Sequence, residues 1–557
     1  MIIRALVNRY EDAKSVPPGW QEREASYALN IDESGQLLDI ISLETIEGKR
    51  RVKRKFILPT VGSGRSGSQA YKTAYFLCDD GGYILGLNPK KFESSRKIHL
   101  SLLKGINTPA ANAIRSYFSK PVQTPQDAEK SDETAKYIFQ VNGRFVDYKD
   151  TDEEIRKAWE DLQNARTNQD QQIRCLVTGE HDTVIKLHDK VALRGVTMGA
   201  QPLISMNDQM SFRSYGKRKD DPPAEIGQAA AFAYASALNA LLKDEKHRQF
   251  IGNDTMVFWA ENGGTAEEEL FINVFAPPKS EANAEVTALC KRIAKGERVS
   301  EYRIDCKFYL LCLSPNSGRM SVRFFHQCAF GNLIRNIQMH YDRLDITPDN
   351  RTPFTNLPAW LILSETTIKN SASDAAPLLG GQLLRCILTG ANYPLTLMQA
   401  MLIRIRAGAE ITQTKAAVIK AVLIKNLNER EVCTVALNEQ SANKPYVLGR
   451  LFSCLERLQE SANGTATIRE RYFTSACANP GSVFPTLLKL SVHHTAKLDN
   501  AVFFEKLKGE LLSRLDVETP FPAAFNLDNQ GRFILGYYHQ RQNFFAKKVK
   551  EEKQSDE

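Results

Sequence analysis

The sequence lacks most of the signatures that mark an enzyme or a membrane protein. Its ten cysteines contain no CxxC pair and no repeated spacing, so none has the ligand arrangement of a structural zinc site. Most lie among apolar neighbours, as in Phe76-Leu77-Cys78 and Leu311-Cys312-Leu313, the setting of small buried thiols in a reducing compartment. The nine histidines include His493-His494 but no HExxH. No metal or other cofactor is expected. No apolar run approaches the roughly 20 residues that span a bilayer, and Met1 to Arg9 holds too short an apolar stretch for a signal peptide. The reading is a cytoplasmic protein with no membrane partner. A GxSxG elbow and the kinase motifs are missing too. The nearest acidic pair, Asp79-Asp80, stands before Gly81-Gly82 and reads as a turn rather than a two-metal nuclease site. No catalytic residue is expected.

What the chain does have is length and clustered positive charge. At 557 residues it can hold several cores. Its 73 Lys and Arg against 65 Asp and Glu give a formal charge of +8. Cations bunch from Lys49 through Arg50, Arg51, Lys53, Arg54 and Lys55, and again at Lys547, Lys548 and Lys550, whereas carboxylates are spread. Such clusters neutralise phosphates and release counterions.

The periodicities predict an α+β amino-terminal part with mixed sheets, followed by an all-α helical bundle at the carboxyl end. Residues 1–120 read as short strands and turns, with Ser26 to Ile31 alternating before Asp32-Glu33-Ser34-Gly35. Gly81-Gly82 between Tyr75-Cys78 and Tyr83-Gly86 predicts a hairpin. The polar, Pro-containing stretch 121–135 reads as a linker. A second α+β region, 136–355, carries an Ala-rich helix from Gly227 to Leu242. It also carries a hairpin around Pro315-Asn316-Ser317-Gly318. From 356 to 557 helical spacing takes over, as at Leu448, Leu451, Phe452, Leu455 and Leu458, and again from Phe503 to Leu515.

Gly62-Ser63-Gly64-Arg65-Ser66-Gly67 spells GxGxxG after a strand, yet Tyr71 to Leu77 reads as another strand where a dinucleotide site needs a helix. A Walker loop fails as well, because Ser68 stands where its lysine must be. The loop's residues instead suit nucleic acid. Exposed amides with Ser, Arg and Lys contact phosphates, Gln and Arg read base edges, and Tyr stacks or wedges. The expected DNA-binding set is Arg51, Lys53, Arg54, Gly64, Arg65, Ser66, Gln69, Tyr71 and Lys72. On the helical end, Arg450, Arg457, Lys506, Arg514 and Arg541 are expected to bind single strands.

An ordered series of local signatures resembles the large subunit of the subtype I-C CRISPR Cascade complex, the Csd-one or Cas-eight-c family. It begins with Phe76-Leu77-Cys78-Asp79-Asp80, Tyr83-Ile84-Leu85-Gly86 and Cys175-Leu176-Val177-Thr178-Gly179. Leu203 to Asn207, Phe212 to Gly216, Ala237-Leu238-Asn239 and Val257 to Glu261 follow. Leu313-Ser314-Pro315-Asn316 comes next, then Ile387 to Gly390 with Tyr393-Pro394. Leu448-Gly449-Arg450-Leu451-Phe452, Gln530-Gly531-Arg532-Phe533 and Gly536 to Arg541 complete the series, so the resemblance covers nearly the whole chain. It implies a non-catalytic subunit beside the CRISPR RNA-bearing backbone subunits and small subunits. Such a subunit reads the protospacer-adjacent motif in double-stranded target DNA, assists opening and R-loop stabilisation, and supports recruitment of a separate helicase-nuclease. The resemblance further implies that 356–557 is like a Cascade small subunit and handles the displaced single strand. An architectural scaffold without DNA contact and a metal-dependent nuclease are the alternatives.

Overall fold

In the computed structural model, the alternating run at Tyr27-Ala28-Leu29-Asn30-Ile31 forms the strand that organises the amino-terminal sheet. The structure describes residues 1–555 apart from 14–15, 48–49, 62–64, 66–68, 123–131, 168–171, 207–215, 219–220, 277–282, 350, 353, 466 and 500. The chain divides into two units, 1–192 with 199–240 and 193–198 with 241–557.

The first unit opens with α1 (Ile2–Ala13), β1 (Trp20–Ala25), β2 (Tyr27–Ile31), β3 (Leu37–Ser42), β4 (Glu44–Glu47) and β5 (Arg50–Pro59). It continues through β6 (Cys78–Asp80), α2 (Gly81–Ile84), α3 (Pro89–Leu102), α4 (Pro109–Ser119), β7 (Lys136–Val141), β8 (Arg144–Phe145) and α5 (Glu153–Thr167). Two short pairs, β9 (Gln172–Arg174) with β10 (His181–Thr183) and β11 (Lys190–Val191) with β12 (Gln201–Pro202), precede α6 (Gln228–Lys243). One sheet runs β3-β2-β7-β6 and a second β1-β5-β4. Because β2 and β7 are parallel, the chain between them must cross over. That crossover carries the second sheet's β4 and β5 and the helices α2 to α4.

The core of this unit gathers Leu29, Phe76, Ile114, Phe118, Phe139 and Trp159. α3 and α4 start where Asn88 and Thr108 cap free amides of the first turn ahead of Pro89 and Pro109.

Several expectations change here. The segment read as a linker, largely outside the described residues, leads into β7, which is bonded on both sides to strands that precede it. β7 thus belongs to the same sheet as β2 and β6. The hairpin around Gly81-Gly82 does not form: β6 ends at Asp80, and Gly81 opens α2. Gly81 is needed for close approach rather than for a turn. A Cβ on Gly81 would lie 2.1 Å from the Asp132 carbonyl oxygen. The strand expected over Tyr71 to Leu77 is also absent. A 3-10 turn at Ala70–Lys72 leads into extended chain, and the Leu77 amide donates to Nε2 of buried His99 at 3.1 Å.

The second unit has the sheet β13 (Arg248–Ile251), β14 (Asp254–Ala260), β15 (Lys307–Asn316) and β16 (Arg319–Ala329), in sequence order and antiparallel. The hairpin expected around Pro315 to Gly318 is present, turning through Ser317 at φ +51°. α7 (Thr265–Phe275), α8 (Asn283–Ala294) and α9 (Phe330–Leu344) accompany it. Beyond 359 the described residues form helices only: α10 (Ala359–Ser364), α11 (Leu379–Thr389), α12 (Leu395–Arg406), α13 (Gln413–Leu427) and α14 (Lys444–Asn463), followed by α15 (Ile468–Ala478), α16 (Pro480–Thr495), α17 (Val502–Ser513) and α18 (Leu527–Ser555). The expected α+β part followed by a helical bundle is what the chain adopts. One continuous core joins the sheet's Phe258 and Leu310 to the helices' Leu384, Leu451 and Phe533.

α14 and α18 are its central pair, and glycine sets their distance. A Cβ on Gly449 would fall 1.9 Å from the Phe533 carbonyl oxygen, and one on Gly536 would fall 2.0 Å from that of Tyr446. Backbone meets backbone at both points, so no rotamer change can make room. Tyr446 with His539 Nδ1 (2.9 Å) and the Arg450 Nε donation to Gln540 (3.1 Å) hold the same seam. We predict that Gly536→Val and Gly449→Val each destabilise the second unit by about 3 kcal/mol or more, the upper end of overpacking costs. Urea unfolding followed by circular dichroism checks this, with Gly509→Ala, on the open face of α17, expected to raise stability by up to about 1 kcal/mol instead.

Candidate nucleic-acid interface

The basic run at 50–55 becomes β5, and its neighbours decide how much charge it shows. β5 lies between β1 and β4, with Glu44 opposite Lys53 and Glu24 opposite Lys55. Lys53 Nζ is 3.9 Å from Glu44, and Lys55 Nζ is 3.5 Å from Glu22. Arg54 covers the Phe145 ring at 4.5 Å. Residues 52–55 are exposed on both strand faces, whereas Phe56 and Leu58 are buried. The ribbon projects, then, but its cations sit beside carboxylates. Exposed pairs of this kind contribute about 1 kcal/mol or less, so Lys53 can exchange its partner for a phosphate. The side chain of Arg51, like Gly64 and Ser66 entirely, lies outside the described residues.

Arg65 is placed differently from the sequence reading. Its guanidinium lies between the rings of Tyr75 (3.7 Å to the centroid) and Tyr83 (3.6 Å). It pairs with both Asp79 and Asp80, and its Nε donates to the Thr73 carbonyl at 2.5 Å. Its side chain is 11% exposed, and that of Asp79 is not exposed at all. Burial pushes the Asp79 carboxyl above the usual carboxylate range, against the pull of Arg65 and of the amides of Tyr75 and Asp80. Lys136, at the start of β7, also pairs with Asp80. Expected to read DNA, Arg65 instead directs its donors inside the protein and fixes the chain at this point. Asp79-Asp80, read as a turn, are its counter-charges.

The remaining loop residues form a corner beside this bolt. Gln69 and Lys72 are exposed, and Tyr71 is half-buried. The Tyr83 hydroxyl, on the ring that covers Arg65, donates to the Ala70 carbonyl at 2.9 Å. Ser94 of α3 donates to the Lys72 carbonyl at 2.7 Å. Lys72 Nζ and Lys90 Nζ lie 6.0 and 5.8 Å from the Tyr71 ring centroid. Lys90 was missed in the sequence, although Asn88-Pro89, a cap followed by a first-turn proline, would have placed it in the opening turn of a helix. A cation there opposes the helix dipole, and an arriving anion relieves the conflict.

On the helical end the expected strand-binding residues separate. Arg450 is 1% exposed, bonded to Gln540 and to the carbonyls of Asn438 and Glu439, so it is a packing residue and not a contact. Arg457 pairs with Glu460, Arg514 with Glu510 at 3.0 Å and Arg541 with Glu410 at 3.9 Å. Lys506 is exposed. Arg450 and Arg457 lie on α14, Lys506 on α17, Arg514 just past its end and Arg541 on α18.

Comparison with known families decides what kind of chain this is. A model of the family described as CRISPR-associated protein (Cas_Csd1) matches residues 5–545. The chain belongs to that family. No curated protein matches it. Membership extends over both units, so it covers Arg65 and its partners in the first and the α14–α18 seam in the second. Among the described residues no helix is long and apolar enough to cross a membrane, and no group of three or more His, Cys, Asp or Glu could hold a metal ion.

Breaking a buried ion pair from one side costs about 3–5 kcal/mol, because the other charge stays buried. Arg65→Ala should therefore lower the stability of the first unit by an amount of that order. Arg65→Lys should lower it less, and Lys72→Ala should leave it within about 0.5 kcal/mol of the parent. Chemical denaturation of the full chain measures all three, and equal midpoints for Arg65→Ala and Lys72→Ala would contradict the assignment.

Proposed function

We propose that this chain is the non-catalytic, DNA-reading large subunit of a guide-RNA surveillance complex of subtype I-C. On this reading it recognises the protospacer-adjacent motif in duplex DNA, assists strand opening and R-loop stabilisation, and supports recruitment of a helicase-nuclease in trans. Its assembly partners are the CRISPR RNA-bearing backbone subunits and small subunits, and the displaced strand is held by the helical end. Family membership over 5–545 supports the setting. The observation that carries the DNA contact is the corner of Gln69, Tyr71, Lys72 and Lys90, where two ammonium groups flank an aromatic ring at a helix start. The bolted Arg65 holds that corner, and the β4–β5 ribbon with Lys53 and Arg54 is the second element offered to duplex. Phosphates take the lysines, and Gln69 and Tyr71 are left for base edges or a base step.

Lys72→Ala with Lys90→Ala, introduced into the assembled complex, should weaken binding of a target duplex at least tenfold. It should also reduce the slope of log affinity against log salt by about 1.8, roughly 0.9 for each phosphate that is no longer neutralised. Assembly with the guide complex should be unaffected. Unchanged affinity and slope would remove the corner from recognition and favour the architectural reading.

A further inference from the structure

A second group of basic residues lies in the other unit, at positions that the sequence reading did not single out. α8 buries Cys290 and Ile293 and turns Lys291, Arg292 and Lys295 outward. It ends in a glycine cap: Gly296 has φ +85°, and the Glu297 amide donates to the Arg292 carbonyl at 3.1 Å. The chain that leaves this cap carries exposed Arg298. α9 adds a fifth cation. Arg335 Nε donates to the Ala294 carbonyl at 3.2 Å, which brings its exposed guanidinium to the end of α8.

Cations at a helix C-terminus complement its dipole, and one or two would need no other explanation. Five do. Arg292 pairs with Glu297 at 2.8 Å, and Arg335 bonds only neutral groups, the Ala294 carbonyl and Asn332. Among the described residues, Lys291, Lys295 and Arg298 have no carboxylate within 4.0 Å. Lys53, Lys55, Arg457, Arg514 and Arg541, by comparison, each stand beside an acid. A cluster of uncompensated like charge raises the free energy of the folded chain unless a polyanion meets it. The nearest aromatic in the following sequence, Tyr302, is half-buried against the core, so base stacking is not part of this contact.

We propose that Lys291, Lys295, Arg298 and Arg335 form a sequence-independent contact for the phosphodiester backbone of nucleic acid, separate from the corner at Tyr71 and independent of it. The contact is electrostatic and position-tolerant, one that holds a strand without reading it.

The test uses the full chain carrying Lys291→Gln, Lys295→Gln and Arg298→Gln, beside a control with Lys369→Gln and Lys489→Gln. Binding to labelled random-sequence duplex, single-stranded DNA and RNA is measured by anisotropy across salt, with thermal denaturation confirming that each variant folds. The triple variant should bind at least tenfold more weakly at low salt. Its salt slope should be shallower by about 2.7 on duplex and about 2 on single strands, and the control should match the parent. The arm with the larger drop in affinity identifies the strand type. An unchanged slope on all three, no binding by the parent to any of them, or a triple variant that keeps its slope while failing to assemble with partner subunits would each overturn the proposal. Because the probes carry no target sequence, failure here leaves the reading of the corner intact.

Discussion

The first unit depends on one arginine. Arg65 occupies the middle of a glycine-rich stretch, and two carboxylates, two tyrosine rings and a backbone carbonyl all converge on it. A guanidinium suits the position as no ammonium would, because it offers planar faces to both rings and separate donors to both acids. The arrangement joins β6, through Asp79 and Asp80, to the 3-10 turn at Ala70–Lys72, through Tyr83. It reaches β7 through Lys136. Arg65 is thereby tied to the edge strand β6, and the side chains that follow it, Gln69, Tyr71 and Lys72, start from a fixed place. Pre-placed contacts bind more tightly than ones that must first be ordered.

The second unit rests on a comparable economy of atoms. Gly449 and Gly536 let α14 and α18 touch backbone to backbone, and the seam's polar groups pair across it, Tyr446 with His539 Nδ1 and Arg450 with Gln540. Burial pushes the His539 imidazole down to about 3, so the seam carries a neutral ring at any physiological pH. The helices around it can then carry charge on their outer faces without disturbing the core.

Much of the fold was legible in the sequence. Alternation gave β2, the Pro315 to Gly318 signal gave the β15–β16 hairpin, and helical spacing gave α14 and α17. The failures share a physical cause. Gly81-Gly82 looks like a turn because turns are the common use of paired glycine, whereas here Gly81 admits the Asp132 carbonyl, a partner about fifty residues away that no local pattern reports. The surroundings of Arg65 and Arg450 were hidden from the sequence in the same way. Both are basic residues in basic surroundings, and only tertiary structure reveals the acids, rings and carbonyls that enclose them. Conversely, the β5 cluster looked like free charge because the glutamates of β1 and β4 that flank it lie in separate strands.

The surfaces proposed for a polyanion are the corner of Gln69, Tyr71, Lys72 and Lys90, the projecting ribbon, and the cations at the end of α8. The most direct measurement is photocrosslinking from a benzophenone side chain at position 71 in the assembled, guide-loaded complex, against a duplex labelled beside the guide-complementary region. The account predicts a crosslink to the base pairs flanking the target, dependent on their sequence. Efficient crosslinking from elsewhere on the chain with none from position 71 would contradict it.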